Sequence, residues 1–269
     1  MSYTEELFSV AGKVVVITGG NGMLGTQYAT TLSKAGARVA VFDVAAELNE
    51  KLASLPDVKL YTVDITKKND IKEALRRAES ELGIPEILIN NAALDSPPGN
   101  GAGGENESLE NYSLESWNAV WNVNATGTFL MCQVVGGRMA QAGKGSIINI
   151  SSTYGVVSPD QRAYEYKKED GVPFVKPISY SATKSAILNL TRYLATYWAG
   201  KGVRVNTLVP GGVFNNQDER FLSEYEKRVP LGRMARPGEY NGAILFLASD
   251  ASSYMTGATL IIDGGWTAW

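Results

Sequence analysis

Residues 13–25 read KVVVITGGNGMLG, a short run of β-branched residues followed at once by Gly19, Gly20, Gly22 and Gly25. Consecutive apolar residues in so short a run are typical of a strand that is buried on both faces of a parallel sheet. The glycines permit positive φ angles, close approach of the backbone to a pyrophosphate, and tight packing of a helix on the strand. The stretch therefore predicts a strand, a glycine-rich turn and a helix whose N-terminal N–H groups can bind phosphate.

The same alternation of apolar runs and helix-period segments continues along the chain. Strands are predicted at residues 13–18, 38–43, 59–63, 86–89, 146–150, 203–208 and 259–262, and helices at 23–35, 67–82, 114–141, 180–199 and 237–248. This order predicts the α/β class, specifically a Rossmann-type, doubly wound parallel sheet of seven strands flanked by helices. No domain boundary is visible, so residues 1–269 are expected to form a single domain.

The composition excludes several classes of function. A net charge of −3 argues against nucleic acid as a partner, and the absence of histidine removes Ser-His-Asp triads and most transition-metal sites. The one cysteine, Cys132, is expected to be a small buried hydrophobic residue. No apolar run reaches the length of about 18 residues that a membrane span needs, and residues 1–10 do not resemble a signal peptide. We therefore expect a cytoplasmic enzyme with no membrane partner.

Asp43 ends the second predicted strand, downstream of the glycine-rich turn. A carboxylate at that place accepts hydrogen bonds from the adenosine ribose and repels a 2′-phosphate. Residues 18–25 and 44–48 contain no lysine or arginine that could bind such a phosphate. The sequence therefore predicts NAD as the cofactor and disfavours NADP.

Tyr180 and Lys184 are four residues apart on a predicted helix, so their side chains project from the same face. A phenol ordinarily titrates near a pH of about 10, which is too high for a base at neutral pH. A nearby ammonium group and a positively charged nicotinamide ring favour the phenolate and lower that pKa. Because the chain has no histidine, Tyr180 is the best candidate for proton transfer near neutral pH.

Short polar motifs follow the ends of the other predicted strands. They are Asp64-Ile65, Asn90-Asn91-Ala92-Ala93, Ser151-Ser152, Pro210-Gly211 and Asp263-Gly264-Gly265, and one further motif, Asn124 within VNATG, lies in the helix predicted at 114–141. With these motifs and the Tyr180/Lys184 pair, residues 10–266 resemble the single-domain short-chain dehydrogenases/reductases. The resemblance implies cofactor contacts from Gly19, Asn21, Gly22, Met23, Leu24, Asp43, Asp64, Ile65, Asn91, Ala92, Tyr180, Lys184, Pro210, Gly211 and Val213.

The resemblance also implies a set of catalytic roles. Ser152, with Ser151 as the alternative, would hydrogen-bond the substrate oxygen, and Tyr180 would transfer the proton. Lys184 would hold the nicotinamide ribose and lower the Tyr180 pKa, and Asn124 would anchor a water that links Lys184 to solvent. The implied reaction is hydride transfer between the cofactor and a small-molecule secondary alcohol or ketone.

Two segments near this site are expected to shape the substrate pocket or its surroundings. Residues 212–232 are predicted to be the substrate loop. Residues 159–177 form an insertion between Ser152 and Tyr180, which are more widely separated than is usual in that family. The aromatic and basic residues of the insertion (Arg162, Tyr164, Tyr166, Lys167 and Lys168) could stack on a base or sugar and pair with phosphate. The alternative, which we favour from the sequence, is a solvated surface excursion.

The substrate and the assembly are less closely defined. SSTYGVV at 151–157, PGGVFNNQ at 210–217 and WTAW at 266–269 are similar to segments of flagellin-modification oxidoreductases, which implies a sugar or sugar nucleotide. Two other functions stay open: a nucleotide-sugar epimerase or dehydratase that retains NAD, and a non-catalytic NAD-sensing regulator. The helices at 114–141 and 180–199 correspond to those that the family uses for assembly, so a homotetramer or homodimer is expected.

Overall fold

The computed structural model describes residues 2–95, 108–169 and 174–269. Its strands are β1 (Val14–Thr18), β2 (Arg38–Asp43), β3 (Val58–Thr62), β4 (Pro85–Asn90), β5 (Gly145–Ile150), β6 (Val203–Pro210) and β7 (Thr259–Ile262). They form one parallel sheet in the order β3-β2-β1-β4-β5-β6-β7. The predicted Rossmann-type fold is confirmed. The strand order reverses beside β1, which is where ligands bind in sheets of this kind.

Helices cover both faces of the sheet. They are α1 (Tyr3–Leu7), α2 (Met23–Lys34), α3 (Glu50–Ala53), α4 (Lys68–Leu82), α5 (Leu114–Trp121), α6 (Thr128–Met131), α7 (Gly137–Ala142), α8 (Thr153–Val156), α9 (Tyr166–Glu169), α10 (Ile178–Trp198), α11 (Glu219–Glu226) and α12 (Asn241–Ala248). One buried core contains residues of α4, α6, α7 and α10, and a second contains residues of α2 and α12. Because both faces are covered, every residue of β1 is buried, which explains its uninterrupted apolar sequence. In the described residues, no helix has the length and hydropathy to span a membrane.

The helix predicted at 114–141 is continuous but not regular. Two π-helical turns, Asn122–Gly127 and Cys132–Gly136, separate α5, α6 and α7. Such turns are rare and are frequently found at functional sites. The first contains Asn124, and the second begins at Cys132, which is buried as expected.

The insertion packs into a third, smaller core. Tyr164 is only 3% exposed and Phe174 only 8%. Tyr164 lies with its ring centroid 5.4 Å from that of Phe221 on α11, and Tyr225 stacks on Trp266 at 4.7 Å. We call these five residues the aromatic cluster. The expectation of a solvated excursion is therefore wrong, because the aromatic side chains of the insertion pack against each other and against a ring on α11.

Candidate active site

The glycine-rich turn joins β1 to α2 at the point where the strand order reverses. Gly19 has a φ of +62°, in the region that favours glycine. A Cβ on Gly25 would lie 2.2 Å from the Gly19 carbonyl oxygen, so only glycine lets the helix approach the strand this closely. Gly22 precedes the first residue of α2, Met23, and supplies no side-chain cap. The N–H groups at the start of α2 are thus left to bind an anion from outside the chain.

Asp43 lies beside this turn at the end of β2. Its carboxylate accepts hydrogen bonds from the main-chain N–H of Asn21 at 3.0 Å and of Ala45 at 3.1 Å. The Asn21 side chain is itself held, since its Nδ2 donates to the Glu47 carbonyl at 2.7 Å. These contacts fix the position of the carboxylate. Since a carboxylate has about four acceptor positions, it can still accept from ribose hydroxyls.

Asn91 ties the end of β4 to the end of β1. Its Nδ2 donates to the carbonyls of Thr18 at 3.1 Å and Gly19 at 3.0 Å. In return, the Thr18 hydroxyl accepts from the main-chain N–H groups of Asn91 and Ala92, both at 3.0 Å. Thr18 is a structural part of the site that our sequence reasoning missed, although its place at the end of β1 was visible.

A cavity of about 380 Å³ opens between these strand ends. It is lined by Gly19, Asn21, Gly22, Phe42, Asp43, Val44, Val63, Asp64, Ile65, Asn91, Ala92, Ala93, Leu94 and Val123. The Thr66 hydroxyl, which donates to Asp64 at 2.7 Å, keeps the Asp64 carboxyl pKa below its usual value. The uncapped helix start, the apolar walls and the two carboxylates fit the phosphates, adenine and ribose of a dinucleotide.

Ser152, Tyr180 and Lys184 lie together beyond the end of β5. The Ser152 hydroxyl accepts from the Tyr154 N–H at 3.2 Å and hydrogen-bonds the Tyr180 phenol. The Lys184 Nζ is buried and donates to the Ile150 carbonyl at 2.9 Å. It lies 5.8 Å from the centroid of the Tyr180 ring. The predicted pair and the predicted serine are thus in one group.

Ser151, the alternative serine, faces the backbone of α10. It is buried, and its hydroxyl donates to the Lys184 main-chain carbonyl at 2.7 Å. A Cβ on Gly155 would lie 2.5 Å from that same hydroxyl oxygen, so Ser151 is tightly enclosed. The geometry therefore favours Ser152 as the residue available to a substrate.

The electrostatics of Tyr180 differ from our expectation. Burial raises the pKa of its phenol above the ordinary value, and the nearby carboxylate of Asp95 raises it further. Burial lowers the pKa of Lys184 to about 8, so its ammonium is still mostly charged at neutral pH. The predicted lowering of the Tyr180 pKa is thus not produced by the residues of this chain, because burial disfavours the charged phenolate. A positive nicotinamide ring would act in the opposite direction.

Asn124 braces the site from the first π-helical turn. Its Oδ1 accepts from the Leu94 N–H at 2.8 Å, and its Nδ2 donates to the Leu94 carbonyl at 3.1 Å. The same Nδ2 donates to the Thr183 hydroxyl at 3.1 Å on α10. The side chain therefore joins the loop after β4 to the helix that carries Tyr180. The water-anchoring role stays a prediction.

The loop after β6 closes the site from the other side. Pro210 ends β6, and the Gly211 N–H donates to the Ile262 carbonyl of β7 at 2.8 Å. A Cβ on Gly211 would lie 2.8 Å from the Asp263 Cα, so the two loops pack closely. Gly212 donates to the Tyr225 hydroxyl at 2.7 Å, and Val213 bridges to Ala235. The predicted cofactor loop is thereby joined to the aromatic cluster.

Comparison with known proteins assigns the family. The sequence model of the enoyl-(acyl carrier protein) reductase family matches residues 21–267, nearly the whole chain. D-threitol dehydrogenase of Mycolicibacterium smegmatis is 33% identical over 282 residues, which cover 99% of each chain. The chain is a short-chain dehydrogenase/reductase.

Solved structures agree with this assignment. A short-chain dehydrogenase from Leptospira borgpetersenii with bound NAD+ is 34% identical with a TM-score of 0.83, covering 99% of this chain and 96% of that chain. A gluconate 5-dehydrogenase from Burkholderia cenocepacia in complex with NADP and tartrate is 28% identical with a TM-score of 0.84, covering 99% and 100%. This short-chain dehydrogenase/reductase is a nicotinamide-dependent oxidoreductase of secondary alcohols.

Two polar residues of the short-chain dehydrogenase/reductase site were missed by our sequence reasoning. Asp95 follows Leu94 after β4, and Lys176 lies at the end of the insertion, four residues before Tyr180. They form an ion pair, and the Lys176 Nζ lies 4.8 Å from the centroid of the Tyr180 ring. The position of Lys176, four residues before Tyr180, can be read from the sequence. Its ion pair with Asp95 cannot, because the two residues are distant in sequence. Of the basic residues that we did consider, Arg162 is exposed and pairs with Asp160. The side chain of Lys168 lies outside the described residues.

Proposed function

We propose that the chain is an NAD-dependent dehydrogenase that interconverts a secondary alcohol and a ketone on a small polyol or sugar derivative. The observation that carries this proposal is the grouping of Ser152, Tyr180 and Lys184 beside a cavity lined by Asp43. The names of the relatives support the substrate class, since one is a threitol dehydrogenase and another a gluconate 5-dehydrogenase.

The cofactor would occupy the cavity beside the glycine-rich turn. The main-chain N–H groups at Met23 and Leu24 would bind the pyrophosphate, with Gly22 at the turn beside it. Asp43 would bind the adenosine ribose, while Asp64 and Ile65 would lie at the adenine. Asn91, Ala92, Tyr180, Lys184, Pro210, Gly211 and Val213 would hold the nicotinamide ribose and ring. When bound, the cofactor supplies the site that gains or loses hydride.

The preference for NAD rests on charge. Asp43 would repel a phosphate on the 2′-oxygen of the adenosine ribose, as like charges do at short range. Among the described residues that line the cavity, none is lysine or arginine. A 2′-phosphate would therefore be repelled by one group and bound by no cation in this lining.

The residues of the chain would move the proton. Ser152 would donate a hydrogen bond to the substrate oxygen and stabilise its developing negative charge. Tyr180, fixed by Ser152, would take the proton from an alcohol or return it to a ketone. Lys184, held by the Ile150 carbonyl, would place its positive charge near the phenol and stabilise the phenolate.

The test is the formation of NADH from NAD+ with a panel of alcohols, polyols, free sugars and sugar nucleotides. Tyr180→Phe is expected to lower kcat by on the order of 10²–10⁴-fold, because the proton-transfer group is removed. Tyr193→Phe is the matched control, since Tyr193 lies on the same helix and is 63% exposed.

Other outcomes would favour the other functions. If no substrate yields NADH while NAD remains tightly bound through purification, the epimerase or dehydratase is favoured. If NADH binds and exchanges freely but no substrate is converted, the NAD-sensing regulator is favoured. A homotetramer or homodimer and a cytoplasmic location remain predictions from the sequence.

A further inference from the structure

The loop after β6 begins with two adjacent glycines, Gly211 and Gly212. Because neither has a Cβ, the main chain here is free to rotate unless other groups hold it. The Gly211 N–H donates to the Ile262 carbonyl of β7 at 2.8 Å, and the Gly212 carbonyl accepts from the Ala235 N–H at 2.9 Å. The peptide group that joins the two glycines is held differently, by side chains.

Two tyrosine hydroxyls bind this peptide group. The Tyr240 hydroxyl donates to the Gly211 carbonyl at 3.1 Å. The Gly212 N–H donates to the Tyr225 hydroxyl at 2.7 Å. In a planar trans peptide the carbonyl and the N–H point in opposite directions, so the two hydroxyls hold the group from opposite sides. Its orientation is thereby fixed.

Both hydroxyls are themselves placed by packing. Tyr225 is 5% exposed and Tyr240 only 1%. The Tyr225 ring stacks on Trp266 in the aromatic cluster, with the two centroids 4.7 Å apart. A Cβ on Gly212 would lie 2.6 Å from the Tyr225 hydroxyl oxygen, so this close contact requires glycine. The two tyrosines therefore give the loop a fixed support.

The N–H of Val213, the next residue, has a different environment. The groups on either side of it, the Gly212 carbonyl and the Phe214 N–H, bond to the main chain of residue 235. The Val213 carbonyl accepts from the Gln217 Nε2 at 2.8 Å. In the part of the chain that the structure describes, no group accepts a hydrogen bond from the Val213 N–H. A donor that is held in place in this way is suited to bind a carbonyl oxygen of a ligand.

Resting on the proposed function, we propose that Tyr225 and Tyr240 are positioning residues, which hold the Gly211–Gly212 peptide so that the Val213 N–H binds the carboxamide of the nicotinamide ring. Without either hydroxyl, the paired glycines would sample other conformations. Ordering them when the cofactor binds would then weaken the binding of the ring. Since Tyr225 lies on α11, the segment predicted to be the substrate loop would also take part in cofactor binding.

The effect would be confined to the nicotinamide end of the cofactor. Among the described residues that line the cavity beside the glycine-rich turn, none belongs to this loop, and neither tyrosine is included. ADP-ribose, which is the cofactor without its nicotinamide ring, would therefore bind independently of the two hydroxyls. A comparison of NADH with ADP-ribose separates positioning of the ring from general damage to the fold.

The test measures the affinity of the full chain for NADH and for ADP-ribose by isothermal titration calorimetry. Tyr225→Phe and Tyr240→Phe each remove one hydroxyl and keep the buried ring. NADH affinity should fall at least about fivefold in each, since one polar group of the peptide loses its partner. ADP-ribose affinity should stay unchanged. Tyr61→Phe is the matched control, because Tyr61 is 1% exposed and its hydroxyl bonds Glu81 on α4 at 3.2 Å, so neither affinity should change.

Each outcome separates the inference from the proposed function. Unchanged NADH affinity in both variants, or an equal loss of NADH and ADP-ribose affinity, overturns the inference alone if Tyr180-dependent NADH formation is retained. If no substrate gives Tyr180-dependent NADH, the proposed function fails, and the NADH and ADP-ribose affinities still decide the inference. Absence of NADH binding by the wild type overturns both. If one of the two variants fails to fold, the other decides by the same comparison.

Discussion

Two halves of the site are built in different ways. The half proposed to bind the nucleotide, called the nucleotide half, is formed by the ends of β1 to β4 and the cavity between them, and it is built mainly from main-chain groups. Examples are the uncapped start of α2 and the Gly19 carbonyl that Asn91 holds at 3.0 Å. The half proposed to face the substrate, called the substrate half, is formed by the insertion, α11 and the aromatic cluster, and it consists of side chains in contact, such as Tyr164 with Phe221 and Asp160 with Arg228.

This difference separates cofactor binding from substrate preference. Main-chain groups keep their positions when most side chains are replaced, so the nucleotide half depends on a few glycines and on the asparagines that brace them. Side-chain contacts change with each substitution, so the substrate half can alter specificity without loss of the fold. We therefore expect variants in the first half to abolish cofactor binding and variants in the second, apart from Tyr225, to change substrate preference.

The largest effect is expected from Gly25→Ala in the nucleotide half. Its Cβ would lie 2.2 Å from the Gly19 carbonyl oxygen, so backbone must move at the phosphate-binding turn. NADH affinity should fall on the order of 100-fold, and stability by about 1–3 kcal/mol. The measurements are NADH fluorescence titration and thermal unfolding. Gly137→Ala is the control, since a Cβ there meets no atom within 4 Å. Normal NADH affinity in Gly25→Ala would show that phosphate binds elsewhere.

A smaller effect is expected from Asp43→Ser, which tests cofactor choice within the same half. Loss of the carboxylate removes both the ribose acceptor and the repulsion of a 2′-phosphate. The ratio of kcat/KM for NAD+ over NADP+ should fall about tenfold or more. Glu47→Gln is the control, because Glu47 is an exposed acid nearby whose contact with Asn21 uses only its carbonyl. An unchanged ratio would mean that Asp43 only holds the turn.

The next largest effect is expected from Asp95→Asn, which changes a charge where the two halves meet and is followed by the pH dependence of kcat/KM. The groups facing the Tyr180 phenol include Ser152, Tyr154, Lys176, Lys184 and Asp95, and among them the Asp95 carboxylate raises the Tyr180 pKa. Its removal lowers that pKa, because the phenolate is no longer repelled.

The rate of alcohol oxidation rises with pH as Tyr180 loses its proton, so this rise should move to lower pH. The measurement is the pH dependence of kcat/KM for a secondary alcohol. Glu165→Gln, an exposed acid of the insertion, should not move it. A shift to higher pH in Asp95→Asn would contradict the expected sign.

The smallest effect is expected from Asp160→Asn in the substrate half. Its carboxylate joins the insertion to the segment that follows α11 by accepting from the Arg228 Nε at 2.7 Å. Both partners are partly exposed, so the ion pair should contribute at most about 1 kcal/mol, or roughly fivefold in substrate KM. NADH affinity should stay unchanged. The comparison variant is Glu73→Gln, which removes an exposed pair with Arg76 on α4. An equal loss of NADH affinity would show that the halves are not separable.

The nucleotide half was more predictable than the substrate half for a physical reason. β1 and the glycine-rich turn are specified by neighbouring residues, namely a buried β-branched run and glycines whose Cβ atoms would clash. All seven strands were predicted within two residues of their observed ends. The Asp95–Lys176 pair joins residues 81 positions apart, and no local pattern reports such a contact.

Packing in the folded chain also makes two features differ from what the sequence predicts. The insertion was expected to be solvated because it is rich in charge, yet its Tyr164 and Phe174 pack against rings on α11 and each other. The Tyr180 pKa was expected to fall through Lys184 and the positive nicotinamide ring, yet among the residues of the chain burial has the largest effect and raises it. Both depend on how much water the folded chain excludes, a quantity that residue spacing does not give.

The environment of Cys132 makes this chain convenient for chemical labelling. It is the single cysteine of the sequence, it is buried against the Asn90 amide, and burial raises the pKa of its thiol to about 12. Thiol reagents attack the thiolate, so the native cysteine should remain unmodified in the folded protein. A cysteine introduced at the exposed Arg162 would then be the one reactive thiol, and a fluorophore there would report on the insertion without any change to the native sequence elsewhere.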